Sequence, residues 1–412
     1  MAVSGNPGCH ESRNFLLAPA SPAMLASPPP MRLAISLAAG LAILAGVLHA
    51  QSDDDEDEMD YFPLVPSGNQ LRFGLHYVGG PKVAFGQLGI VPSAASVGDP
   101  TGLENRTYND GNVVLDQRKA PDGSPVGDGL TNTWNFVNSS QATASGDLAF
   151  HDYSSTTLGA SERAKSNGAA GWELQISRSL GKIGRKVDFS VVGGFSFSNI
   201  NAKTSGVVQG LLTTVTDVYP LYGQDVPTVP YTAPTSGAQY VYDANGNQVL
   251  DSYGNPTTTT VDSSTLLGNQ PTRTTTTSVA DVKGYWQIRG AYYTFKVGPM
   301  LQIPITERIK FSVGAGAALA LVGTRYIVDE TLQVADVNDT TVETTGEQSR
   351  FVMLPLYYAN ADAEYWVTER SGFYLGVNGQ KSGSYDQSVG GRTATINLGT
   401  TYGVQSGITL RF

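Results

Sequence analysis

From Leu71 to the last residue, segment after segment of this chain alternates apolar with polar or small side chains. Period two marks a β-strand whose two faces meet different surroundings, because successive side chains point to opposite sides of the backbone. Leu71, Phe73, Leu75 and Tyr77 stand against Arg72, Gly74 and His76, and Trp172, Leu174 and Ile176 against Glu173, Gln175 and Ser177. Val187, Phe189, Val191, Phe195 and Phe197 make a third row. Further rows run over 293–303, 309–321, 357–367, 373–377 and about 402–412. No long stretch of helical period interrupts them, and the chain is 40% hydrophobic and only 15% charged, too apolar for disorder. An all-β fold of eight strands is expected.

Which face is wet decides the architecture. A soluble sandwich hides its apolar faces in a core, whereas a membrane barrel turns them to lipid and fills its lumen with the polar ones. Three features favour the barrel. The faces opposite the apolar rows are rich in Gly, Ala and Ser, which suit a crowded interior. Their charges nearly balance: Arg72, Lys186, Lys296, Lys310 and Arg411 stand with Glu173, Asp188, Asp362 and Glu364. Enclosed charges need partners. Connections also alternate between tight (181–185, 306–308, 368–372) and long (79–171, 198–284, 324–349, 381–398). The expectation is a closed antiparallel transmembrane β-barrel at 70–412, with long loops at 79–171 and 198–284. Trp172, Trp286, Tyr365, Trp366 and Phe373 lie near strand ends, as interfacial girdles do. A possible hairpin at 131–137 and 146–153 would raise the count to ten; eight is preferred, with the hairpin above the membrane.

The N-terminus reads as an address. Met31-Arg32, an apolar run from Leu33 to Leu48 and Ala50 have the form of a secretory signal peptide at 31–50, too short for a spanning helix of ~20 residues. Residues 1–30, rich in Pro and Ser, are expected to be an upstream extension from a mis-assigned start. Arg13 and Arg32 against Glu11 give residues 1–50 a net charge of +1, so the rest of the chain holds −11 of the total −10. Seven acids between Asp53 and Asp60 account for most of this, and the segment 51–69 is expected to be a disordered acidic tether.

The chain ends Ser406-Gly407-Ile408-Thr409-Leu410-Arg411-Phe412. This resembles the C-terminal assembly signal of bacterial outer-membrane β-barrels, with Ser406, Gly407, Leu410 and Phe412 at its fixed positions. The resemblance implies that the barrel assembly machinery reads this strand and that the protein sits in outer-membrane lipid. With eight strands, the pattern is similar to small barrels of the outer membrane protein A or W type.

Other functions are constrained by what the residues offer. Net acidity disfavours nucleic acid, whose phosphates need a basic surface. Cys9, the sole cysteine, precedes the signal peptide, so no disulfide framework or cysteine zinc site is expected. Asp243-Ala-Asn245-Gly246-Asn247 with Asp251 fails as a calcium loop, since Gly falls fourth and Gly254 occupies position twelve. Neither cofactor nor metal is expected. Eight strands enclose a space that side chains can fill, so a structural or interaction barrel is expected, its lumen plugged by Arg72, Glu173, Asp188, Lys296, Lys310, Asp362, Glu364 and Arg411 and its extracellular ligand unknown. The alternative is a porin-like small-solute channel of ten or more strands. A barrel hydrolase using His76 or His151 is a third reading. His76 is expected inside as a hydrogen-bonded residue, and His151, beside Asp152, in solvent; no catalytic residue is assigned.

Overall fold

The computed structural model describes residues 68–184, 186–335 and 340–412. The upstream extension, the signal peptide and all but Gly68 and Asn69 of the acidic segment lie outside the described residues. Thirteen strands build the part that matters here. They are β1 (Asn69–Val78), β2 (Lys82–Leu88), β3 (Leu148–Thr157), β4 (Ala160–Lys165), β5 (Ala169–Ile183), β6 (Val187–Tyr219), β7 (Thr272–Pro304), β8 (Ile309–Gln333), β9 (Thr341–Trp366), β10 (Ser371–Ser382), β11 (Ser384–Val389), β12 (Arg392–Asn397) and β13 (Thr400–Arg411).

Eight of these close a hydrogen-bonded antiparallel ring in the order β1-β5-β6-β7-β8-β9-β10-β13 and back to β1. They are the eight strands expected from the alternation. The closing seam pairs Phe73 with Ile408 and Gly74 with Gly407. Short turns join β5 to β6, β7 to β8 and β9 to β10 at one end, which also carries the C-terminus and is called the lower end.

Four ring strands run far beyond the other four. β6 and β7 are 33 residues each and stay in register from Asp188 opposite Gln302 to Val218 opposite Thr272. β8 and β9 are 25 and 26 residues. More than half of the expected long loop at 198–284, and most of that at 324–349, is therefore strand, whereas 79–171 holds only short strands between irregular segments. The physical reason is an inversion of polarity within β6, β7 and β8. Phe195 and Phe197 of β6 face outward, but two residues higher Asn199, Asn201 and Lys203 hold that face, while Ile200 and Ala202 are buried inside. β7 switches from outward Tyr293 to outward Arg289, with Ile288 and Trp286 buried. β8 switches from Leu319 to Arg325, with Val322 and Tyr326 buried. The register places these switches side by side: Asn199 opposite Ala291, and Ala291 opposite Gly323.

The short strands β1, β5, β10 and β13 stop at this level. Gly79-Gly80-Pro81, Ser166-Asn167-Gly168, Gly383 and Leu398-Gly399 break them, and each continues as one strand of a second sheet, β11-β12-β2-β4. At Gly80 a Cβ would stand 2.2 Å from the Ser166 carbonyl oxygen, so only glycine allows that approach. The breaks stay hydrogen bonded: Gly79 N–H donates to Tyr402 O at 2.9 Å and Ser382 N–H to Gly399 O at 2.9 Å. The second sheet packs on the upper parts of β6–β9 around one apolar core, with Val83, Phe85 and Ile396 on one side and Trp286, Val322 and Tyr326 on the other. Phe85 stacks on Tyr326 at 5.6 Å between ring centres. Each such side chain, removed wholly from water, contributes roughly 1.5–3 kcal/mol.

A second apolar cluster lies at the far upper end, where Trp134, Phe136, Phe150 and Tyr219 are fully buried. The expected hairpin of 131–137 with 146–153 is not formed. Trp134–Phe136 pairs with Gly111–Val113 and Tyr231–Thr232, and β3 pairs with Gly210–Tyr219 of β6. Neither segment joins the ring, whose strands number eight.

Candidate functional site

The lower tier is a ring with its polarity turned inside out relative to a soluble protein. Its outward side chains are large, apolar and exposed: Leu75 67%, Leu375 66%, Tyr357 72%. They form continuous rows across strands. One runs Ile408, Phe73, Leu174, Phe195, Phe295, Leu319 by direct cross-strand opposition. Soluble monomers rarely expose contiguous apolar patches beyond a few hundred Å². On β7 the apolar outward row spans 293–303, about eleven residues, the length a tilted strand needs to cross hydrocarbon. The closed ladder leaves no backbone edge along it, as an apolar medium demands.

Of the residues expected in girdles, Tyr365 and Phe373 are exposed on this outer face and Trp172 packs there against Phe73 and Phe195. Two do not belong. Trp286 is fully buried in the upper core, and Trp366 points into the ring, where the Arg411 guanidinium lies 3.6 Å over its ring. Both occupy even positions on strands whose outward rows are odd.

Inside the lower tier, charge meets charge. Arg72 of β1 reaches across to β9, pairing with Asp362 at 3.2 Å and with Glu364, while Ser312 accepts from it at 3.0 Å. Its exposure is 2%. Asn360 donates to Asp362 at 2.6 Å, and Gln70 donates to Glu364 at 3.1 Å. Lys296 of β7 pairs with Glu173 of β5 at 3.1 Å, and Tyr374 donates to the same carboxylate at 3.0 Å. Lys310 stands 4.0 Å from Asp188. Of the residues named from the sequence as lumen charges, Arg72, Asp362, Glu364, Lys296, Glu173, Lys310 and Asp188 meet one another inside the ring, and Arg411 lies over Trp366 without an ion pair among the described residues. Lys186, grouped with them on parity, is exposed beyond the lower end of β6.

The two histidines have definite partners. His76 Nε2 lies 2.7 Å from Ser198 Oγ inside the ring. The space beside them is a cavity of about 30 Å³, room for a water or two and not for an acyl substrate. His151 is not free in solvent beside Asp152: its Nδ1 meets Asp110 at 2.7 Å, while Asp152 is buried and takes the Ser93 hydroxyl at 2.8 Å. Burial pushes the Asp152 carboxyl above its usual range, against the pull of that hydroxyl. Among the described residues no group of three or more His, Cys, Asp or Glu is placed to hold a metal.

Two further charge centres lie above the ring's lower tier and escaped sequence reasoning. Glu330, fully buried, accepts from Arg392 at 3.0 Å, Trp286 Nε1 at 2.8 Å and the backbone N–H groups of Gly89 and Ile90 at 3.1 Å. Asp217, also fully buried, is gripped by Arg273 at 2.7 Å on both oxygens and by the Tyr108 hydroxyl at 2.6 Å. Burial, and then the Asp217 carboxylate, push the Tyr108 hydroxyl far above the usual tyrosine range. The available signal was parity: Glu330 shares the even row of Val328 and Leu332, where an acid among buried apolar side chains requires a partner.

The residues of the assembly signal lie on β13 or just past it. Gly407 faces inward opposite Gly74 and Tyr374, Ser406 faces outward between Leu75 and Leu375, and Phe412 is half exposed. In the closed ring β13 has both edges paired, with β1 and β10.

No family model matches the chain, and no curated protein matches its sequence. Among solved structures it is similar to a Pseudomonas aeruginosa FadL homologue (8% identity, 84% of this chain and 90% of that one, TM-score 0.16). It is similar to the P. putida toluene transporter TodX (10%, 84% and 91%, TM-score 0.17) and to outer-membrane expressed OmpT of Vibrio cholerae (7%, 84% and 99%, TM-score 0.11).

Proposed function

We propose that this chain is a bacterial outer-membrane β-barrel of structural or interaction type, of the small eight-stranded kind, with its lower tier in the bilayer and its upper tier in water outside the cell. One observation carries the reading: side-chain polarity inverts at a common level across β6, β7 and β8. Below that level apolar side chains face out and charges face in; above it charges face out and an apolar core faces in. Only a boundary between hydrocarbon and water rewards both halves of such a strand. The lumen is shut by the Arg72 and Lys296 networks and again by the upper core, so the protein presents a surface and conducts no solute. Its C-terminal strand, by its resemblance, is the part that the assembly machinery reads before β13 is paired on both edges.

Cysteine labelling tests the placement, since Cys9 is the sole native cysteine and is replaced first. A membrane-impermeant maleimide on intact cells should label Ser349→Cys, in the upper tier. It should leave Leu375→Cys unlabelled until detergent is added. Labelling of Leu375→Cys in intact cells, or recovery of the protein in a soluble periplasmic fraction, overturns the reading.

A further inference from the structure

Just above the outward aromatic row, the sheet places like charges side by side. Arg289 of β7 stands directly opposite Arg325 of β8, both on the outward face. Lys203 of β6 lies on the same face, opposite Gln287, one outward position above Asn201, which faces Arg289. Like charges directly opposed on one face of a sheet destabilise it. Arg325 has a partial remedy in Glu347 at 3.1 Å, an exposed pair. Arg289 and Lys203 are exposed and make no ion pair among the described residues. The acids of this face, Glu347, Asp329, Asp281 and Glu343, lie higher, away from the apolar belt. The level also matters. Arg289 is two outward positions above Tyr293, the last apolar residue of its strand's belt, or about 13 Å along the strand at ~3.3 Å per residue. In a bilayer that is the depth of headgroups.

We propose that Lys203, Arg289 and Arg325 form a site for the phosphate of a glycolipid headgroup in the outer leaflet. This rests on the membrane reading above, which sets the height of the site. A phosphate monoester supplies the negative charge that the opposed arginines lack, and arginine forks bind it through paired N–H donors. Its acyl chains would lie along the exposed belt below, against Tyr293 and Leu319. The inorganic ion offers the same charge but nothing for the belt, so a lipid is the favoured source.

The test uses the full mature chain refolded into phosphatidylcholine vesicles with and without lipid A, then extracted in a zwitterionic detergent, with bound lipid A measured by mass spectrometry. The wild-type chain should retain lipid A. The double variant Lys203→Gln, Arg289→Gln should insert equally well and retain it about 25-fold less, since each basic residue at an anionic surface is worth roughly a factor of five. Lipid A stripped of its phosphates should be retained by neither. Equal retention by both proteins, or equal retention of the dephosphorylated lipid, overturns the site while leaving the membrane reading intact. Displacement of bound lipid A by millimolar inorganic phosphate also overturns it as a lipid site. Failure to insert into pure phosphatidylcholine, which contains no lipid A, overturns the membrane reading itself.

Discussion

Arg392 of β12 and Glu330 of β8 form an ion pair at 3.0 Å with side chains 4% and 0% exposed. It joins the second sheet to the long ring strands, and the same carboxylate takes Trp286 of β7 and the backbone after β2. Four elements from distant parts of the chain thus meet on one group. Removing half of such a pair strands the other charge in a dry core, at a cost of about 3–5 kcal/mol. Glu330→Gln should therefore lower the denaturant midpoint and expose 79–91 to protease. Glu330→Leu with Arg392→Met should recover only part of the loss, because it removes both charges but leaves the Trp286 indole N–H and the Gly89 and Ile90 N–H groups without their acceptor. Unfolding curves of the three variants in one detergent check this; a double variant as weak as Glu330→Gln would show the pair to be worth more than its packing.

Arg72 sets a second prediction. It holds Asp362 and Glu364 together inside the ring, and its loss leaves two carboxylates facing each other away from water. Arg72→Ala should destabilise the refolded protein by several kcal/mol, read as a drop in urea midpoint. Glu364→Gln added to Arg72→Ala should recover part of that drop. Planar bilayers containing the wild-type protein should show no unitary conductance, since Arg72, Glu173 and Lys296 fill the lumen that eight strands enclose. Steady single-channel steps would contradict a closed interior.

The ring was legible because the lower tier obeys one rule: every odd or even row that is apolar faces out, and the row between faces in. The upper tier was not, although its alternation is equally regular. Phe195 and Phe197 are followed by Ile200 and Ala202, so the apolar parity changes while the strand continues. A reader tracking one parity sees the pattern stop at Ser198 and assigns a loop. Trp286 was misplaced for the same reason, its even position marking it as core above the switch. The lumen charges could be named from parity, but not their pairings, because Arg72 meets Asp362 and Glu364 across 290 and 292 residues of sequence. Arg289 opposite Arg325 depends on the β7–β8 register, which the 305–308 turn fixes only once the strands are known to continue.

Alkali should probe the upper core. Burial pushes the Tyr385 hydroxyl up to about 12, with its Thr324 hydrogen bond and Arg350 opposing the rise. A raised tyrosine pKa means that the folded state holds its proton after the unfolded state has lost it. The associated stability is fully present below the ordinary tyrosine value near 10 and is lost as pH rises from there through about 12. At ~1.4 kcal/mol per unit, the loss across that window is about 2–3 kcal/mol. Denaturant midpoints measured through the window should fall more steeply for wild type than for Tyr385→Phe. Parallel slopes would assign the alkaline loss to other groups.

Gly407 belongs to the C-terminal signal by resemblance, and the closing seam provides an independent reason for glycine there. A Cβ at 407 would stand 2.2 Å from the Phe73 carbonyl oxygen and 2.5 Å from Gly74 Cα. Both are backbone of the neighbouring strand, so relief requires parting β13 from β1 where the ring closes. Overpacking of this kind costs about 1–3 kcal/mol or more, as the ladder shifts with it. Phe412 differs: it lies past the end of β13 and is half exposed, so its truncation leaves the ladder intact. The two roles separate in a refolding experiment without cellular factors. Gly407→Val should fail to reach the compact, heat-modifiable form in detergent micelles, while Phe412→Ala should refold like wild type. In cells, both should accumulate less in the outer membrane, Gly407→Val because the seam will not close and Phe412→Ala because assembly starts poorly. Normal refolding of Gly407→Val in micelles would mean that the seam yields, leaving recognition of the strand as the reason for glycine.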